Sequence, residues 1–265
     1  MNIFANLQQE YLKAQRFRKR TIQAVRFFIL ICFLAVWEIT ADLDIIDSFF
    51  FSSPSRIIRT ILQMANDYSL FHNIGITLLE TVFSFVLIVL ISLASAMLLW
   101  LLPSFSEVLD PYLVMLNSLP KSALAPLFIV WLGANTTTII VAGISVALFG
   151  SILNLYQSFK STDEEMEKLI YTLGGTKWDV LSKAILPSNI PTILSSMKVN
   201  IGLSLVGVII GEFLAARAGL GYLIIYGSQV FKLDLVIMSF VFLCFIALVL
   251  YGIIVLLEKH INRAA

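Results

Sequence analysis

The sequence predicts an all-α polytopic membrane protein with six transmembrane helices, and three observations carry that prediction. The 265 residues are 59% hydrophobic and only 13% charged, whereas a soluble domain carries about 45–50% apolar and roughly 25% charged residues. Apolar runs long enough to cross a bilayer, roughly 20 residues each, recur along the chain. The basic residues gather in a few places instead of spreading over a surface. The surplus apolar surface therefore faces lipid. A net charge of +1 supplies no basic field of the kind that marks a nucleic-acid binder. Cys32 and Cys244 lie inside apolar runs and read as buried small hydrophobes, not as a disulfide framework.

The first run is Ile22 to Ala41, with Arg26 and Glu38 near its ends, where long side chains can reach polar surroundings. A basic stretch (Lys13, Arg16, Arg18, Lys19, Arg20) precedes it. No small-residue cleavage site follows at Glu38 to Asp44, so the run reads as a retained helix and not as a signal peptide. Thr77 to Leu102 is the second span. Val108 to Leu132 is the third, interrupted by Pro120, Lys121 and Pro126. Thr137 to Phe159, Asn189 to Phe213 and Leu235 to Leu257 complete the six.

Charge sets the orientation. Basic residues cluster in the N-terminal tail, between Lys160 and Lys183, and at Lys259 and Arg263. The positive-inside bias makes all three regions cytoplasmic, and an even number of spans places both termini on one side. Arg56, Arg59, Arg217 and Lys232 fall outside, so the bias is a majority. Between the first two spans, Ser53-Pro54 reads as a helix start, an N-cap with proline at the first helical position. Ile57, Ile58, Ile61, Leu62 and Ala65 then line one face of an external helix. The chain reads as one membrane domain, residues 22–265, behind a cytoplasmic tail, residues 1–21, with a cytoplasmic loop at 160–187.

That loop is the most informative stretch. Thr162 and Glu165 have capping-box spacing. Met166, Leu169, Ile170 and Leu173 follow at helical spacing and form an apolar stripe. Gly174-Gly175 breaks the helix. Thr176 and Asp179 offer a second cap, and Trp178, Leu181 and Ile185 a second stripe that ends at Pro187. Amphipathicity alone also allows a helix lying on the lipid surface.

The segment resembles the cytoplasmic "EAA" loop of binding-protein-dependent ABC permeases, in which Glu-Ala-Ala is followed by three residues, Gly, nine residues and Ile-x-Leu-Pro. Aligned on Gly174, the Leu-Pro falls on Leu186-Pro187. Lys168, Leu169 and Ile170 stand where Glu-Ala-Ala is expected, and Ala184 replaces the Ile. Three further stretches, NSLPKSALAPLFIVWLG (117–133), MKVNIGLSLVGVIIGEF (197–213) and GLGYLI (219–224), resemble the nitrate/sulfonate/taurine branch of that family. The resemblance implies a five-helix permease core with one extra N-terminal helix. It implies a bacterial inner membrane and a second permease subunit, forming a homodimer. It also implies two cytoplasmic ATPase subunits that carry the ATP and Mg, and an external solute-binding protein. In this chain Glu165, Met166, Leu169, Ile170, Leu173, Gly174, Gly175, Lys177 and Trp178 would couple it to the ATPase.

No residues of the chain itself point to catalysis. The phosphate-binding spacing Gly-x-x-x-x-Gly-Lys-Ser/Thr is absent, and Gly174-Gly175-Thr176-Lys177 does not have it. His72 and His260 stand far apart, with no metal-ligand spacing, so the sequence predicts no metal and no cofactor bound by this chain. Charges deep in a bilayer cost at least about 2.5–3.5 kcal/mol and usually face a cavity or a partner. The broken third span (Asn117, Ser118, Lys121, Ser122) is therefore one candidate lining of a solute pathway. Lys198, Asn200 and Ser204 in the fifth span are another. Lys121 has a competing reading, in which it pairs with an acidic group or a carbonyl inside the bundle. Lys198 can instead snorkel, Glu212 reads as a structural contact near the outer end, and Gly202, Gly207 and Gly211 as close-packing positions. Two mid-membrane lysines favour a small anionic solute. An ion-gradient transporter would carry coupling carboxylates within its spans, and a non-transport scaffold leaves the broken span and amphipathic loop unexplained.

Overall fold

The computed structural model describes residues 2–264. Side chains are described except at residues 1–14, 16, 19, 48, 50 and 262–265, so Lys13, Arg16, Lys19 and Arg263 of the charge pattern lie outside the described side chains. Helix α1 (Asn2–Asp42) includes the predicted tail and first span in one continuous helix. Its apolar side chains from Phe27 to Ile39 are almost all exposed. A short turn, α2 (Ser48–Phe51), leads to α3 (Pro54–Asn66). Ser53 caps α3 as its sequence predicts, its hydroxyl accepting from Arg56 N at 3.4 Å. The apolar face of α3 is narrower than predicted. Ile57 is buried and Ile61 and Ala65 pack on the core, but Ile58 and Leu62 are exposed.

Helix α4 (Ser69–Leu101) starts earlier than its apolar run, because its first polar residues find partners inside the protein. Asn73 is buried and its Oδ1 accepts from Gly219 N at 2.6 Å. The third apolar run is two helices, α5 (Pro103–Ser118) and α6 (Lys121–Leu132), bent by 96° at Leu119-Pro120. Proline has no N–H to continue the ladder, and it drives the preceding residue out of the helical region. Leu119 accordingly takes an extended conformation (φ −64°, ψ 139°). Helix α7 (Thr136–Lys160) begins at an Asn135 cap. The connecting segment folds as α8 (Glu164–Thr172), α9 (Lys177–Val180), a π-helical turn over Leu181–Ile185, and α10 (Leu186–Ser188). Then come α11 (Ile190–Ala215), α12 (Leu220–Gln229) and α13 (Leu233–Ala264).

Among the described residues, five helices are long and apolar enough to cross a membrane: Arg20–Asp42 of α1, then α4, α7, α11 and Leu233–Ile261 of α13. The bent α5–α6 pair makes the sixth if it counts as one span. This agrees with the predicted fold class.

Helix α7 is the centre of the bundle, packed between α4 and α11. Small residues let the backbones touch. A Cβ built on Gly207 would lie 2.8 Å from Gly143 Cα, and one on Gly211 would lie 2.9 Å from Ile139 Cα. Within a bilayer such close van der Waals contact replaces the hydrophobic drive that packs soluble helices. Gly202, predicted alongside them, faces open space. The start of α4, the start of α7, the end of α11 and α3 share one end of the bundle (the α3 end). The last turns of α4 and α7 meet the π turn at the other (the α8 end). Cys32 and Cys244 are exposed on the outer surface, contrary to their predicted burial. In lipid the apolar outside and the apolar core have the same composition, so hydropathy does not separate them.

Candidate functional site

The α8 end is built from the linker upward. Asp163, not Thr162, caps α8: its Oδ1 accepts from Glu165 N at 2.9 Å. The predicted capping box at Thr162 and Glu165 does not form, because Asp163 stands next to the helix and Thr162 Oγ1 instead accepts from Asn189 Nδ2 at 2.8 Å. Gly174 takes φ +81°, a conformation that costs other residues a Cβ clash. The bonds Gly174 N→Tyr171 O (3.0 Å) and Gly175 N→Ile170 O (2.9 Å) close a Schellman cap on α8. Thr176 and Asp179 make the second, reciprocal cap, as predicted. Lys183 and Thr176 hold the exposed Asp179 carboxyl well below the usual carboxylate range. That contribution is complete above about pH 4, where an unfolded aspartate is ionised, and is lost as pH falls through the depressed folded value.

These caps divide the predicted stripe. Ile170 turns inward onto a cluster formed by Phe159, Val180, Leu181 and Ile185. Lys177 is held against the bundle, its Nζ donating to Leu101 O at 2.6 Å and lying over the Trp100 ring. The wide turn ahead of Pro187 buries Leu181 and Ile185 completely. What remains outside is an apolar strip: Met166, Leu169 (60% exposed), Leu173 (79% exposed) and Trp178. Glu165 is exposed beside it.

At the α5–α6 break, Lys121 Nζ donates to Leu116 O at 2.9 Å, to Leu119 O at 3.0 Å and to Asn117 O. The ammonium thus caps the carbonyls that the proline leaves open at the end of α5. Ser118 bonds back to Val114 O at 2.8 Å, and Ser122 is exposed at the start of α6. Of this group, Asn117 faces a cavity of about 440 Å³ between α5, α7 and α11, lined also by Gly150, Ser151, Asn154, Ser196 and Asn200. Its polar groups are linked. Asn154 Nδ2 donates to Ser196 Oγ at 2.7 Å, and Asn200 Nδ2 donates to Ser151 Oγ at 2.9 Å, which reaches Ser92 Oγ at 3.0 Å.

The structure separates the remaining pathway candidates. Lys198 lies on another face of α11 and pairs with Glu258 of α13 at 2.8 Å. Ser204 is buried, donating to Ile201 O at 2.9 Å within its own helix. Asn154, Ser151 and Ser196 were not picked out by sequence reasoning, although Ser151 and Asn154 stand three apart on one face of an otherwise apolar helix. Near the α3 end Glu212 is the structural contact predicted. Its carboxylate accepts from Thr77 Oγ1 at 2.6 Å and from Gly221 N, while Leu220 N donates to Thr77 Oγ1 and Gly219 N to Asn73 Oδ1. Gly219 reaches this knot at φ +113°, pressed against the Glu212 carboxylate.

Comparison with known proteins places this geometry among transporters. The family described as "Binding-protein-dependent transport system inner membrane component" matches residues 88–264. The formylaminopyrimidine transport permease protein ThiX of Halalkalibacterium halodurans is 28% identical over 77% of this chain and 81% of its own length. The putative aliphatic sulfonates transport permease protein SsuC of Bacillus subtilis is 23% identical (87% and 83%), and the taurine transport system permease protein TauC of Escherichia coli 25% (82% and 81%). The fold is similar to that of a chain of the MetNI methionine ABC transporter, solved in inward-facing conformations, with TM-score 0.62 and 17% identity over 76% of this chain and 97% of that one.

The contacts of Lys121 predict a structural cost for losing its charge. Lys121→Met removes three donations to carbonyls, and hydrogen bonds to charged groups are each worth about 1.5–3 kcal/mol. The thermal midpoint of the purified chain should fall by several degrees, at roughly 2–4 °C per kcal/mol. Lys121→Arg should retain most of it. A Met variant with the wild-type midpoint would remove the capping role.

Proposed function

The chain belongs to the family of binding-protein-dependent transport system inner membrane components, and on that premise we propose how it works as an ABC importer permease. Two copies form a pathway for a small polar solute, which an external binding protein delivers. Two ATPase subunits on the cytoplasmic side bind ATP and Mg and drive the cycle. The solute is an anion such as a sulfonate or nitrate-like ion, or a related small organic molecule, a reading that the names of the sulfonate relatives support. The cavity lined by Asn117, Asn154, Ser196 and Asn200 is the route: its amides and hydroxyls are neutral, and suit a passing solute better than a tightly held one.

The observation that carries the coupling is the strip Met166, Leu169, Leu173 and Trp178, exposed on a helix too short to span. A nine-residue helix is marginal in water by itself. Each of these side chains contributes roughly 1.5–3 kcal/mol when buried, and an ATPase groove is the surface that buries them. The inward packing of Ile170, Lys177 and the π turn then transmits the groove's movement to α4 and α7. A ligand or partner can shift a conformational equilibrium only through contacts that differ between its states, and this segment is where such contacts meet the bundle.

The Leu169→Asp/Leu173→Asp variant should therefore lose the ATPase in pull-down, or retain it with hydrolysis uncoupled from solute, while inserting normally in the membrane. Wild-type pull-down and solute-stimulated hydrolysis together would return α8 to the lipid surface. Orientation has its own test. In a chain without Cys32 and Cys244, an impermeant thiol reagent applied to whole cells should modify cysteine at Asp67 and spare cysteine at Lys177. The reverse pattern would invert the topology.

A further inference from the structure

Two carboxyl groups meet inside the bundle near the α3 end. Glu80 of α4 is 4% exposed and Glu212 of α11 is 1% exposed. Their side chains are hydrogen-bonded to each other, and the Thr136 hydroxyl at the start of α7 donates to Glu80. A hydrogen bond between two carboxyl groups needs a proton on one of them, because an ionised carboxylate only accepts. Two carboxylates sharing one site do not both ionise without a cation between them.

The neighbours decide which group holds the proton. Glu212 Oε1 accepts from Thr77 Oγ1 at 2.6 Å and its Oε2 accepts from Gly221 N, so both oxygens act as acceptors. Glu80 Oε2 is buried and receives no N–H or hydroxyl donor among the described residues. Glu212 is therefore the carboxylate, and Glu80 is the acid that donates to it. The nearby polar groups are committed elsewhere. Asn73 Oδ1 takes Gly219 N, Thr77 Oγ1 takes Leu220 N, and Asn135 bonds to Thr138 N and Leu132 O. Among the described residues, none of α4, α7, α11 and α12 turns a cation onto the pair.

The proton has a way out. A cavity of about 260 Å³ lies beside Glu80, between α4, the start of α7 and the end of α11. Among the described residues that line it, Glu80 and Arg217 alone are charged, and Arg217, Asn135 and Thr136 are exposed. Arginine keeps its proton in proteins, so Glu80 is the group of that lining that titrates.

We infer that Glu80 and Glu212 form a proton-binding site, which latches the α11–α12 turn to α4 and exchanges its proton with the medium at the α3 end. With the proton in place, Glu80 ties α4 to the carboxylate that holds Gly221 and packs against Gly219. When hydroxide or a buffer base takes the proton, a charge-assisted hydrogen bond becomes repulsion between two buried carboxylates. Glu212 is then driven off the amides that it holds. Raising the pH loosens the turn, and lowering it restores the latch. This site belongs to the chain alone and stands whether or not the importer reading holds.

The test is amide hydrogen exchange over residues 213–222, read by mass spectrometry on the full chain in lipid nanodiscs. Variants are compared with wild type at the same pH, so that the intrinsic pH dependence of exchange cancels. Glu80→Gln keeps a donor for Glu212 and cannot ionise, whereas Glu80→Ala has no donor. At about pH 6 the Gln variant should exchange within about twofold of wild type, and the Ala variant at least about tenfold faster. At about pH 10 wild type should exchange at least about tenfold faster than Glu80→Gln, and return to about pH 6 should slow it again. Glu212→Gln should be fast at both, because an amide has one oxygen where the turn uses two. A Glu80→Gln chain as fast as Glu80→Ala at about pH 6 would show Glu80 ionised and overturn the site. Wild type and Glu80→Gln exchanging alike at about pH 10 would overturn it as well, since no proton is then given up. If Glu80→Ala fails to fold, the comparison of wild type with Glu80→Gln at the two pH values decides.

Discussion

The seam between α7 and α11 is the contact on which the rest of the bundle depends. Gly207 meets Gly143 and Gly211 meets Ile139 with no room for a side chain between the backbones. Lipid is as apolar as the helices, so burial supplies little drive for their association, and close contact has to supply it. That contact has a consequence for polar groups. Once α7 and α11 are held at backbone distance, Ser151 and Asn200 come within hydrogen-bond reach, and so do Asn154 and Ser196. A lined polar cavity is the product of an apolar constraint.

Two departures from regular helix are answered locally by side chains that take the open backbone groups. The proline break between α5 and α6 opens carbonyls, and Lys121 takes them. The turn from α11 to α12 leaves the amides of Gly219, Leu220 and Gly221 free. Glu212, Thr77 and Asn73 take those. Lys121, one of the candidate pathway residues, thus also holds the end of α5 together. Lys198 is likewise held by Glu258.

The spans were legible because hydropathy reports a helix surrounded by apolar material, whether lipid or protein. For the same reason it could not separate inside from outside: Cys244 reads as core and is exposed, and Ile57 and Ile58 read alike but face opposite ways. The connecting segment was legible from its glycines and caps, which act within a few residues. The division of its stripe, with Ile170 in and Leu169 out, depends on where the π turn meets α4 and α7. No local pattern contains that. Lys121 and Asn117 were legible as a polar break, but which of them faced the cavity depended on the 96° bend. Glu80 lay unremarked at the start of an apolar run. Its partners Glu212 and Thr136 are distant in sequence and meet it only in the folded bundle.

On the proposed function, the cavity between α5, α7 and α11 is a wetted solute route and not a lipid-filled groove. Its most direct measurement is the reactivity of a single cysteine at Asn154, in a chain lacking Cys32 and Cys244, toward a charged water-soluble thiol reagent. The reference is a chain that retains only the lipid-exposed Cys244. The Asn154→Cys chain should react from the aqueous phase, at a rate that changes when the assembled transporter is trapped with ATP and vanadate, while Cys244 stays slow. If cysteine at Asn154 reacts no faster than Cys244, and only a membrane-soluble reagent reaches it, the cavity faces lipid and the route lies elsewhere.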